Sequence, residues 1–234
     1  MKRIYILPLG ITNTYLIKGK KNILVDAGPK NKLKILEKHL SKHDLSLKDI
    51  HYVLLTHTHW DHMGSSAAIK EASGAMLLAH KNEAERAETG KLAKPVGYGI
   101  WGKLLQELMK LLLAYHKVEG CNIDMIIDQN EYSLTEIGIE ARILFTPGHT
   151  PGSLSLVLDS GEAFVGDLAM GGFPRLKGKG MPVICEDPQQ VLKSWQVLLD
   201  NNVKTIFPAH GVPFSSDILK KEIDNMKKSK KYII

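Results

Sequence analysis

Thr56-His57-Thr58-His59-Trp60-Asp61-His62 follows directly on Ile50–Leu55, a run with the β-branched and apolar character of a strand buried on both faces. Four potential metal ligands, His57, His59, Asp61 and His62, crowd into this one turn of chain. Imidazole is the commonest nitrogen ligand of zinc, and carboxylates complete such sites. Three protonated histidines this close repel one another, and unprotonated they bury badly without a partner. A cation resolves both problems. His57 and His59 stand two apart, so an extended backbone sends both to one side. Asp61 and His62 are adjacent, so only a turn aims both inward, and Gly64 then opens a helix. One short loop can therefore serve two metals, with His57 and His59 on the first and Asp61 and His62 on the second.

The remaining candidates each lie where a strand gives way to a loop. Arg142–Thr146 leads into Pro147-Gly148-His149-Thr150-Pro151-Gly152, Phe164-Val165 into Gly166-Asp167, and Ile206-Phe207 into Pro208-Ala209-His210-Gly211. Four strand ends carry four ligand groups, and they converge if these ends share one edge of the fold. The neighbouring glycines and prolines fix tight loops.

These residues resemble the metallo-β-lactamase-fold superfamily, in motif order and spacing along essentially the whole chain. Locally they look closest to its glyoxalase II-like hydrolases. The resemblance implies an α/β fold, a four-layer αββα sandwich of two mixed β-sheets flanked by helices, as a single domain over residues 1–234. It implies that His57, His59 and His149 bind one metal, that Asp61, His62 and His210 bind the other, and that Asp167 bridges both. Asp26, in Val25-Asp26-Ala27-Gly28, corresponds to an aspartate that orients the site from behind the ligands. Many true metallo-β-lactamases carry a cysteine in the second site. Asp167 takes that role here, which argues against β-lactam hydrolysis. Histidine at position 59 argues against the flavodiiron branch, where a glutamate stands. The 24 residues after His210 are too few for the glutathione-gripping region of glyoxalase II proper.

The expected activity is hydrolysis of a small ester, thioester or lactone by a metal-bridging hydroxide, with Asp61 and Asp167 holding the cations and accepting the proton. Two divalent ions are expected, zinc first, with iron and manganese compatible with the same ligands. Two alternatives stand beside it: a mononuclear-iron oxygenase of the persulfide dioxygenase kind, which shares the motif set, and a phosphodiesterase or nuclease, which the basic charge favours. Arg175, Lys177 and Lys179, in the glycine-rich loop after Asp167, are candidates to bind an anionic substrate. His39, His43, His51, His80 and His116 have no partner pattern and read as surface or helix-face residues.

Apolar residues make up 44% of the 234 and charged residues 24%, the balance of a soluble globular chain with a full core. Much of the +6 net charge is local, in Lys220, Lys221, Lys227, Lys228, Lys230 and Lys231. No aromatic residue interleaves with these lysines before Tyr232, so the stretch reads as a solvated last helix rather than a nucleic-acid arm. Two distant cysteines, Cys121 and Cys185, form no disulfide framework and fit a reducing compartment. The apolar stretch at the N-terminus is broken by Pro8, Asn13 and Thr14, so neither a signal peptide nor a membrane span is expected, and a cytoplasmic location is.

The pattern predicts strands over Arg3–Leu9, Thr14–Lys18, Asn22–Val25, Ile50–Leu55, Ala75–Ala79, Asp124–Ile127, Glu131–Leu134, Glu140–Phe145, Ser153–Leu158, Ala163–Gly166 and Lys204–Phe207. Helices are predicted over Asn31–His43, Gly64–Ser73, Lys81–Glu88, Ile100–Val118, Pro188–Asp200 and Ser215–Lys228, with Asp187 as an N-cap. The Ile100–Val118 helix is read as part of an insertion over residues 90–120. Its broad apolar face makes it a lid or a homodimer contact.

Overall fold

The computed structural model describes residues 4–172 and 179–228. Six strands form the first sheet in chain order: β1 (Ile4–Pro8), β2 (Asn13–Ile17), β3 (Ile23–Val25), β4 (Tyr52–Leu54), β5 (Met76–His80) and β6 (Met125–Ile127). β1, β2 and β3 are antiparallel because short turns join them, whereas β3 to β6 run parallel. A parallel step needs a crossover, which helices supply. These are α1 (Leu33–Ser41), the one-turn α2 (Trp60–Met63), α3 (Ser66–Ser73), α4 (Lys81–Thr89) and α5 (Gly99–Leu113).

The second six-stranded sheet is built from β7 (Glu131–Ser133), β8 (Ala141–Phe145), β9 (Leu154–Leu158), β10 (Glu162–Phe164), β13 (Thr205–Phe207) and β14 (Phe214–Ser215), in the order β14-β13-β10-β9-β8-β7. It too is mixed: β10 runs parallel to β13 and antiparallel to β9. A two-stranded ribbon, β11 (Met170–Gly171) with β12 (Lys179–Gly180), is tied to the segment between β13 and β14 by hydrogen bonds from Gly171 to His210 and from Val212 to Gly171. The last helices are α6 (Pro188–Asp200) and α7 (Asp217–Lys228).

The chain divides into two compact units, Met1–Ala93 with His116–Ile143, and Lys94–Tyr115 with Leu144–Ile234. In the first, Leu7, Leu16, Leu24, Val53 and Leu77 of the sheet pack against Leu36 and Leu40 of α1 and Ile69 of α3. In the second, Val157, Ala163 and Ile206 meet Trp195 and Leu198 of α6 and Leu219 and Ile223 of α7. Trp195 is fully buried, and its indole N–H donates to the Leu168 carbonyl at 2.9 Å, so its size is used without stranding a donor. Asp187 caps α6 as expected, accepting from the backbone N–H of Gln189 and Gln190.

Two expectations are corrected. The helix expected over Ile100–Val118 ends at Leu113. Val118 is drawn into the core of the first unit, and the Cys121 N–H donates to the Ala87 carbonyl at 3.0 Å, so packing overrides the apolar periodicity. His80 is not a surface histidine: it is 2% exposed, at the end of a strand whose last four residues are all buried. Its Nδ1 accepts from the Asn82 N–H at 3.1 Å and caps α4.

Candidate metal centre

In the first unit, β4 ends at Leu54 and the chain passes straight into the histidine segment. Asp26 lies at the end of the neighbouring strand with φ 63°, a left-handed conformation that aspartate tolerates at modest cost. That turn brings its carboxylate onto the segment. Asp26 Oδ1 accepts from the Thr56 N–H at 2.8 Å, and the Thr56 hydroxyl lies 2.9 Å from both carboxylate oxygens. His62 Nδ1 stands 2.8 Å from Asp26 Oδ2. His57 Nδ1 stands 3.1 Å from the Thr56 hydroxyl, whose proton is already directed at Asp26. His57 and His62 thus each carry their proton on Nδ1 and present Nε2 as the lone-pair nitrogen.

His59 directly precedes α2, and that single turn delivers Asp61 and His62 together. This is how adjacent residues come to be aimed inward. Gly64 follows, where a side chain has no room: an added Cβ would lie 2.4 Å from the Lys30 nitrogen. Asp61 is 6% exposed and accepts from the Thr12 hydroxyl at 3.2 Å.

The second unit presents His149, Asp167 and His210. Gly148, with φ 133°, lets the loop after β8 lie against the start of α6, and the Gly148 and His149 carbonyls accept from the Asp187 and Glu186 N–H groups. His149 Nδ1 is held 2.8 Å from the Ile184 carbonyl, which again leaves Nε2 as the lone-pair nitrogen. Asp167 lies between two imidazoles, 3.7 Å from His149 Nε2 and 3.3 Å from His210 Nε2.

Among the described residues, two groups of donors could hold metal ions. His57, His59, His149 and Asp167 each offer a ligand atom, all within 4.8 Å of one another, and Asp61, His62 and His210 do the same. All seven residues are buried. The donor set fits a divalent cation. His57 Nε2 and His59 Nδ1 are 3.0 Å apart. Two nitrogens on one tetrahedral zinc, at ~2.0–2.1 Å each, sit ~3.3 Å from one another. The His57 and His62 rings, one from each donor group, lie 3.9 Å apart between centroids, so the two groups stand side by side in this segment. Both groups mix imidazole with carboxylate, a set that suits zinc, iron and manganese alike.

The structure gathers the seven ligand candidates into these two groups and sets Asp26 against His62. Sequence reasoning missed what stands behind them. Glu83 is fully buried, and its Oε2 accepts from both the N–H and the hydroxyl of Thr58. Its signal was weak, because one acid in a short polar helix reads as solvated. Thr12 and the Ile184 carbonyl carry no sequence signal at all. Lys179 is on β12, exposed, with its ammonium 5.9 Å from the centre of the Phe214 ring. Arg175 and Lys177 lie outside the described residues.

Two His/Asp donor groups of this kind are a ligand set that could hold a pair of divalent ions. The profile of the "Metallo-beta-lactamase superfamily" matches residues 7–210, and the chain belongs to that family. Its fold class is α/β, with two mixed β-sheets flanked by helices. The "Probable metallo-hydrolase MJ0888" of Methanocaldococcus jannaschii is 29% identical over 149 residues, covering 64% of this chain and 63% of that protein. The "Beta-lactamase-like protein 2 homolog" of Drosophila melanogaster is 26% identical over 201 residues, covering 86% of this chain and 58% of its own length. The match thus spans about six-tenths of these curated relatives. Among solved structures, the archaeal superfamily protein ST1585 from Sulfolobus tokodaii superposes with a TM-score of 0.66 at 22% identity, covering 100% of this chain and 90% of that one. The family protein TTHA1429 from Thermus thermophilus gives 0.68 at 22% identity, covering 99% of this chain and 80% of that one.

Proposed function

We propose that the enzyme hydrolyses a small ester, thioester or lactone, in the manner of the glyoxalase II-like branch, with zinc as the native metal. The observation that carries this reading is the pair of buried donor groups, each gathered within 4.8 Å. His57, His59 and His149 hold one ion, Asp61, His62 and His210 the other, and Asp167 belongs to both. Asp167 stands within 4 Å of an imidazole from each set, which supports the shared role. Two zinc ions held there would supply an acidified water and a Lewis acid for the substrate's carbonyl oxygen.

This chain's own residues do the rest. Asp26 fixes the tautomer of His62 and the position of Thr56, and the Ile184 carbonyl does the same for His149. Asp61 and Asp167 are the buried carboxylates beside the reacting centre, and they are proposed to take up the proton released during hydrolysis. Lys179 remains a candidate for an anionic substrate group.

Residues 90–120 are read as an insertion in a single domain, with α5 as the lid over an apolar part of the substrate. Its exposed stripe supports this: Trp101, Leu104, Leu108 and Leu112 are all more than half exposed. A cytoplasmic location is proposed from the two free cysteines. Among the described residues no helix is long and apolar enough to cross a membrane.

The test is a panel of esters, thioesters and lactones assayed with zinc-loaded and chelated protein. The reading predicts turnover of at least one class, lost on chelation and restored by zinc. Turnover that survives complete removal of metal overturns it.

A further inference from the structure

Thr58 is the residue between the two histidines of the first donor group. Its neighbours face the metal centre, and it faces the other way, fully buried. Its N–H donates to Glu83 Oε2 at 3.2 Å, and its hydroxyl donates to the same oxygen. Glu83 is itself 0% exposed. It sits in the first turn of α4, where the helix N-terminus favours a negative charge, and α4 is fixed in place by the His80 cap. One turn further on, the Arg86 guanidinium lies 3.5 Å from the same carboxylate oxygen. Burying a carboxylate is costly unless it is paired and hydrogen-bonded, and an apolar side chain would fill the space at lower cost. A carboxylate placed at this spot holds something in register.

We propose that Glu83 is a positioning residue for the first metal site. It clamps Thr58 by backbone and side chain together, and so sets the approach of His57 and His59, whose ligand nitrogens are 3.0 Å apart. The inference rests on the binuclear reading above. Glu83 reaches Thr58 and Arg86. It acts through Thr58, in the way that partners behind metal ligands commonly change affinity by about 10–100-fold.

The test uses the full chain, with Glu83→Gln, Thr58→Val and Thr58→Ser compared with wild type. Cobalt(II) is titrated into metal-free protein, following visible absorption and competition with a chelator, while thermal unfolding of the metal-free proteins runs in parallel. A folded Glu83→Gln is expected to bind the first cobalt roughly 10–100-fold more weakly, with an altered absorption spectrum. Thr58→Val is expected to follow it, and Thr58→Ser, which keeps the hydroxyl, to return toward wild type. If the Glu83 and Thr58 changes lower the unfolding temperature but leave affinity and spectrum unchanged, the role is packing alone and the proposal falls. Should Glu83→Gln fail to fold, Thr58→Val decides: unchanged cobalt affinity overturns the clamp, and weakened affinity rescued in Thr58→Ser sustains it. Wild type that binds no cobalt defeats the binuclear reading itself, a result distinct from wild-type binding with unaffected variants.

Discussion

At the scale of single residues, the centre is organised by hydrogen bonds to the Nδ1 atoms of His57, His62 and His149. Asp26 serves two partners, Thr56 and His62, from a left-handed backbone position that, glycine aside, short polar residues tolerate best. Asp26→Ala removes the acceptor that sets the His62 tautomer. The expected result is a loss of affinity for the second ion of about 10–100-fold, read by metal titration, with the first ion affected less. His59→Ala and Asp61→Ala each remove a donor outright, so turnover should vanish while circular dichroism stays that of the folded chain. Near-normal turnover in either purified variant would refute the ligand assignment. His80 makes a different prediction. Burial first, and then the neighbouring Lys81, hold its pKa below the usual histidine value of 6.5. The unfolded chain therefore takes up a proton that the fold refuses. The contribution is intact above about pH 6.5 and is lost as pH falls toward the folded pKa. His80→Asn keeps a capping side chain and removes the titration. Denaturant melts at pH 7 and pH 5 should show a smaller stability loss in the variant than in wild type.

At the scale of elements, the loop after β8 depends on α6. An added Cβ on Gly148 would lie 2.5 Å from the Val191 nitrogen, at a φ that side chains rarely adopt. Gly148→Ala is expected to cost on the order of 2–4 kcal/mol in denaturant unfolding and to weaken metal binding by shifting His149. α5 makes the opposite prediction. Leu108 is 53% exposed, so Leu108→Lys should change stability by no more than about 0.5 kcal/mol. If α5 is a lid, the same change raises KM for apolar substrates and leaves metal content alone. Equal KM across the panel would remove α5 from substrate binding. Helices and strands with strong periodicity were legible in the sequence: α6 has its predicted ends, and β1 to β6 fall inside or within a residue of their expected spans. The one-turn α2, the ribbon β11–β12 and the two-residue β14 were not, because so few residues carry no period. The end of α5 was misread because Val118 belongs to the core of the first unit, a long-range fact.

At the scale of the whole molecule, the donor cluster was legible because metal chemistry limits which residues gather at strand ends. The supports were not, because a threonine hydroxyl or a backbone carbonyl is found everywhere. Glu83 and His80 show the same limit: burial of a polar side chain is decided by partners far away in sequence. Metal should also act on the molecule as a whole. An ion that binds only the folded state stabilises it by mass action, so chelation is expected to lower the unfolding temperature, and zinc to restore it in a concentration-dependent way.

The most direct measurement is elemental analysis of the full chain, loaded with zinc and then freed of excess. Two ions per chain are expected, one for each donor group, falling to about one when His210 is replaced by alanine. Folded wild-type protein that retains less than one ion per chain under those conditions would contradict the binuclear reading.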